Sequence, residues 1–315
     1  MTAIGLAVGL ALLVAVLVGG VWLYMPDRPR AALEAIYATP PSQFVDVDCV
    51  RLHVRDTGPR TAPAIIMLHG FGSSLQTWDS WAADLERDFR IVRYDLPGFG
   101  LTGADPTGVY TDERAIAVLT GLMDRLGIGR ATVVGNSMGG RIAWRFAAAM
   151  PERIERLVLV SPDGFAGPGR AYGVKPSVPL LLRVLPYVLP DGMLRASLRP
   201  AYADPARLME ATYVRTRDML LAPGVRRAIV DLSGQVTLID PVPLLAQITA
   251  PTLLLWGERD AMIPFRNSAD YLRALPHATL HALPGLGHVP QEEAPETAEV
   301  VRAFMSERRT MPKDG

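Results

Sequence analysis

Cysteine is almost absent from this 315-residue chain, and lysine is nearly so. The single thiol, Cys49, excludes an internal disulfide and a cysteine-built metal site. It reads as a small residue in an early strand. Lysine occurs only at Lys175 and Lys313, so the cations are almost all arginine. The 32 basic residues are matched by 32 acidic ones, and formal net charge is zero. A neutral chain with scattered cations offers no electrostatic footing for nucleic acid. Internal repeats and low-complexity tracts are also missing. From Thr2 to Met25 charge is missing altogether, and that gap is the first positive signal.

The uncharged run is dominated by Ala, Val, Leu and Gly. As a helix it would be about 36 Å long, enough to cross a hydrocarbon core of about 30 Å with some tilt. Trp22 and Tyr24 fall at one end, where aromatic rings favour the bilayer interface, and Arg28 and Arg30 follow. No Lys or Arg precedes the run and no A-x-A site follows it, so an uncleaved single-pass anchor (1–25) is expected, not a signal peptide. The positive-inside rule then places the rest of the chain on the cytoplasmic side.

Residues 26–42 read as a juxtamembrane segment: a short helix from Ala31 to Ala38, closed by Pro40-Pro41. Alternation from Gln43 to Asp56 predicts an antiparallel strand pair. From Ala64 onward, apolar strand runs alternate with helical segments. Strands are expected at Ile65 to Leu68, Arg90 to Tyr94, Ala131 to Val134 and Arg156 to Val160. Helices are expected at Trp78 to Arg87 and Asp112 to Leu126. Such alternation implies a mostly parallel sheet with helices on both faces. It breaks at 164–239, a Pro-, Leu-, Met- and Tyr-rich stretch with helical spacing, read as a helical cap. It resumes with Thr252 to Trp256, a helix near Phe265 to Ala274, Ala278 to Leu283 and a last helix from about Pro295 to Glu307. The core is therefore 43–163 plus 240–308, with 309–315 a polar tail. Hydrophobic residues make up 49% of the chain, enough to fill it.

Gly135-Asn136-Ser137-Met138-Gly139 lies between a β-branched strand and an Ala-rich helix that stops at Pro151. A serine in so sharp a strand-to-helix turn is strained and pushed out of the sheet, and its glycine neighbours leave room for the turn. A serine hydroxyl needs a base to attack at neutral pH. Of the five histidines, His53, His277 and His281 sit in strand or turn positions with ordinary structural uses. His288 follows the strand Ala278 to Leu283 across Pro284-Gly285-Leu286-Gly287, at the carboxyl edge where α/β sites form. Asp260, beyond the strand ending at Trp256, is the preferred carboxylate to orient it; Glu258 and Asp163 are rivals. His69-Gly70-Phe71-Gly72 follows another strand, and the backbone N–H groups of Phe71 and Met138 are candidate oxyanion donors. His69 reads as a brace for that loop, and Asp95-Leu96-Pro97-Gly98-Phe99-Gly100 as a structural turn. Neither cofactor nor metal is called for.

These five segments together resemble the α/β-hydrolase superfamily over about Phe44 to Arg308. The resemblance implies an eight-stranded α/β-hydrolase sheet with a cap, and a Ser137–His288–Asp260 triad. Gly-Asn-Ser-Met-Gly-Gly is similar to two capped branches. One holds esterases and monoacylglycerol-lipase-like enzymes, some with an N-terminal anchor. The other holds carbon–carbon bond hydrolases of aromatic ring-fission products, which usually carry an aromatic residue directly after the histidine. Here Val289-Pro290 follows, which favours esterases. Haloalkane dehalogenases and epoxide hydrolases use aspartate at the Ser137 position and are disfavoured. The expectation is a membrane-anchored serine esterase or lipase acting on small-molecule or lipid esters with apolar acyl chains. A carbon–carbon hydrolase would need polar cap residues to hold a dienoate carboxylate, with Arg183 and Arg195 as candidates. A second candidate for bilayer contact is the apolar stretch Val178 to Pro186, although so short a run is more often core. No protein partner is indicated.

Overall fold

The computed structural model describes residues 10, 20, 23–167 and 171–307. The span expected at Thr2 to Met25 lies almost wholly outside the described residues, as does the tail 309–315. Among the described residues, no helix is long and apolar enough to cross a membrane.

Eight strands form one sheet: β1 (Ser42–Val47), β2 (Val50–Thr57), β3 (Ala64–Leu68), β4 (Arg90–Tyr94), β5 (Ala131–Asn136), β6 (Ile154–Val160), β7 (Thr252–Gly257) and β8 (Ala278–Leu283). Their order is β1-β2-β4-β3-β5-β6-β7-β8. β1 and β2 pair antiparallel, and β2 meets β4 antiparallel. Every pairing from β4 to β8 is parallel. The sequence expectation of a hairpin followed by a parallel sheet is met.

Alternation along each strand splits the core into two layers. Ile65, Met67, Val134, Val158 and Leu255 face the helices Asp79–Leu85 and Ala298–Ser306, packing on Trp78, Trp81, Val301 and Phe304. Ile66, Leu68, Val133, Leu157 and Trp256 face the other way, towards Val118, Ile142, Phe146 and Tyr271. Those residues belong to the helices Asp112–Arg125, Met138–Ala149 and Ser268–Ala274. Strands buried on both faces need continuous apolar runs, which is why β3 to β7 were readable in the sequence.

Between β6 and β7 the chain leaves the sheet. Helices Leu180–Arg183, Asp191–Leu198, Glu210–Leu220 and Val225–Gln235 follow, and the described residues there contain no strand. The helix Arg30–Tyr37 and the strap before it lie against this insertion. Met25 N–H donates to the Tyr187 carbonyl and Arg28 N–H to that of Leu221, both at 2.8 Å. Arg226 reaches the Met25 carbonyl and Asp27 Oδ1, each at 2.7 Å.

Candidate active site

Ser137 sits between β5 and the helix Met138–Ala149 with φ 54° and ψ −118°. That region is costly for a residue with a side chain and persists only where the surroundings impose it. The surroundings are close. A Cβ on Gly139 would lie 2.3 Å from the Leu68 carbonyl oxygen, and one on Gly135 2.3 Å from that of Gly139. Only glycine lets β5 and the following helix approach β3 this tightly.

His288 is buried beyond β8. Its Nδ1 lies 2.8 Å from Asp260 Oδ2. The other Asp260 oxygen accepts the N–H groups of Met262 and Ile263, both at 2.8 Å. The carboxylate is thus fixed, and its second oxygen orients the imidazole with Nδ1–H donating and Nε2 carrying the lone pair. Ser137 and His288 are joined through Asn136, whose Nδ2 donates to the His288 carbonyl at 2.9 Å and to that of Val160 at 3.1 Å.

The loop after β3 closes on the same point, since a Cβ at Gly70 would lie 3.2 Å from Ser137 Cβ. Met138 heads its helix, where the first N–H groups have no intrahelical acceptor and the dipole favours negative charge. Phe71 exposes its ring beside Phe99, edge-on at 5.7 Å between centroids. Behind Met138 runs a narrow apolar cavity lined by Leu96, Phe99, Tyr110, Ile142 and Leu232.

The rival carboxylates go elsewhere. Asp163 pairs with Arg141, and Glu258 is exposed. Burial works against the Arg141 charge, but Asp112 and Asp163 outweigh it and hold the guanidinium above its ordinary range. His277 and His281 are exposed. His69 is buried, its Nδ1 2.8 Å from the Gly70 carbonyl and its Nε2 accepting Leu96 N–H at 2.9 Å. Burial holds its pKa below the usual 6.5, so it stays neutral and bridges the loops after β3 and β4.

Two features were not legible from the sequence. Asp95, read as an ordinary turn residue, is fully buried and accepts Leu75 N–H at 2.7 Å and Leu101 N–H at 2.8 Å. Its Oδ2 also lies 2.8 Å from Nδ1 of buried His53, whose Nε2 meets Ser42 Oγ at 2.9 Å. Burial alone would raise the Asp95 carboxyl, but His53 and the Leu75 N–H outweigh it and hold it below the usual range. Asn136 is the second. It is a variable place in the G-x-S-x-G pattern, so the pattern carried no signal for it.

Residues 63–295 match the family model of the alpha/beta hydrolase fold. The chain belongs to that family and is a hydrolase of that fold. It is 32% identical over 259 residues to a 2-hydroxy-6-oxononadienedioate/2-hydroxy-6-oxononatrienedioate hydrolase of Burkholderia vietnamiensis, covering 78% of this chain and 88% of that one. An uncharacterised protein of Mycobacterium tuberculosis is 31% identical over 299 residues, covering 89% and 86%. Among solved structures, a membrane phospholipase A described as a bacterial virulence factor superposes with a TM-score of 0.71. That match has 26% identity and covers 95% of this chain and 97% of that one.

Proposed function

We propose that this chain is a capped serine esterase or lipase that cleaves acyl esters with apolar acyl chains through Ser137, His288 and Asp260. The observation that carries the reading is the fixed Asp260–His288 pair at 2.8 Å, tied through the Asn136 side chain to the strand end that bears a serine at positive φ. His288 Nε2 takes the Ser137 proton as Oγ attacks the ester carbonyl, and the N–H groups of Met138 and Phe71 receive the oxyanion. The imidazolium then protonates the leaving alcohol. A water activated by the same nitrogen releases the acid. The small space beside Met138 is mostly apolar, lined by Leu96, Phe99, Ile142 and Leu232.

A carbon–carbon hydrolase of ring-fission products is the second reading, favoured by the Burkholderia relative. Against it stand the present partners of the two candidate cap cations. Arg195 donates to both oxygens of Glu210, at 2.9 and 2.7 Å, and lies over the Tyr213 ring. Arg183 donates from Nε to the Val178 carbonyl at 3.3 Å.

Residues 1–25 are proposed to anchor the enzyme in a bilayer, with the hydrolase on the cytoplasmic side. The likeness of nearly the whole chain to a membrane phospholipase A supports the location. A reporter active only in the cytoplasm should stay silent when fused to the N-terminus; a signal from that fusion reverses the orientation.

A fluorophosphonate probe should label the wild type and leave Ser137→Ala unlabelled. Turnover of medium-chain nitrophenyl esters should exceed that of a ring-fission dienoate; the reverse preference selects the second reading.

A further inference from the structure

The loop carrying His288 is held by the cap as well as by the sheet. His288 N–H donates to the Ala201 carbonyl at 2.8 Å. One residue earlier, Gly287 N–H donates to Glu293 Oε1 at 2.7 Å, while Glu293 Oε2 accepts Ala203 N–H at 3.0 Å. The fit is tight: a Cβ at Gly287 would lie 2.5 Å from the Ala203 nitrogen and 2.8 Å from Glu293 Oε1. Next to it, Glu292 Oε2 accepts Tyr202 O–H at 2.6 Å. A single carboxylate therefore spans the backbone on both sides of the seam between the histidine loop and the cap.

We propose that Glu293 is a positioning residue for His288, and that through it the cap sets where the imidazole stands. The inference rests on the reading of His288 as the base. Hydrogen bonds to an ionised carboxylate are short and strong, so the two N–H groups are kept in fixed relation. A displacement of about 1 Å in a catalytic group costs as much as a hundredfold in rate. Glu293 touches neither substrate nor reacting atoms. Its effect reaches the chemistry only through the backbone on which His288 is mounted, and a shift of residues 201–203 moves the base with it.

Two variants test this. Glu293→Gln keeps one acceptor oxygen and points an amide at the other N–H. Ala203→Pro removes the cap donor and leaves Glu293, Gly287 and His288 chemically intact. Tyr202 already has ψ 137°, the extended conformation required before proline. Active sites are counted by fluorophosphonate labelling, and kcat for a medium-chain nitrophenyl ester is expressed per labelled site. In each variant, kcat per site should fall on the order of tenfold, with KM within about twofold. A smaller labelled fraction with unchanged kcat per site in both would mean that Glu293 only supports folding, and would overturn the proposal. If Glu293→Gln fails to fold, Ala203→Pro decides alone. Absence of Ser137 labelling in the wild type would instead remove the reading of the site, and this inference with it.

Discussion

Asn136 Nδ2 donates to the carbonyl oxygen of His288 across 152 residues of sequence, at 2.9 Å. The bond makes the end of β5 and the loop after β8 a single rigid corner. Asn136→Ala should lower kcat about tenfold, with a smaller effect on KM, because it frees the loop that carries His288 and strands that residue's carbonyl, whereas the Val160 carbonyl keeps Ser137 N–H at 3.0 Å. Steady-state kinetics beside thermal unfolding will check this, and an unchanged kcat would separate Asn136 from the site.

Gly139→Ala tests the tight approach of helix and sheet. Its Cβ would stand 2.3 Å from the Leu68 oxygen and 2.6 Å from that of His69. Backbone cannot yield as a side chain tip does, so a loss of about 1–3 kcal/mol is expected in urea unfolding. Gly129→Ala, with no atom within 4 Å of the added carbon, should stay within about 0.5 kcal/mol of wild type.

His69 gives a pH dependence with a defined sign. Its folded pKa is depressed by burial below the 6.5 of an exposed imidazole. The unfolded chain therefore takes up this proton first as pH falls. The stability from neutral His69 is complete above pH 6.5 and declines below it towards the folded value. His69→Gln keeps one donor and one acceptor but does not titrate. Urea midpoints between pH 5 and 7.5 should vary less in the variant, and identical slopes would contradict the assignment. Asp95, a depressed carboxyl, contributes its own loss only in the acid range around and below its ordinary 3.8.

The strap gives a fourth test. Arg226 is 2% exposed and bonds Met25 O and Asp27 Oδ1; Gly224 N–H donates to the other Asp27 oxygen at 2.9 Å. Arg226→Met removes the two bonds made by its side chain. Limited proteolysis should then cut near residues 25–30 at least several times faster, while the wild type resists. Equal cleavage rates would show that other contacts hold the strap.

Much of this was written locally. β5 and β7 are β-branched or leucine runs buried on both faces, and Ser137 and His288 follow strands at glycine-marked turns, so short windows revealed them. Asp260 lies deepest in the loop after its strand and keeps the order Ser…Asp…His, which favours it over Glu258 and Asp163; in the structure it meets His288. Asp95 and His53 were opaque because their partners lie 42 residues apart, and nothing in either neighbourhood points to the other. Glu293 was silent for the same reason: its acceptor role depends on Ala203, 90 residues away. Helix ends shifted where 3-10 turns intervene, as at Leu75–Trp78 before Asp79–Leu85.

The insertion between β6 and β7 also has a temporal meaning. During synthesis, β3 to β6 and the Ser137 turn emerge first, whereas β7, β8 and residue 288 follow only after the whole cap. Closing a loop of that length comes late, because its entropy must be met before the distant contacts form. A nascent or truncated chain would hold the serine without its imidazole. On the proposed chemistry, such a product would be inert towards lipid while still being made, and hydrolytic power would arrive only with the last strand.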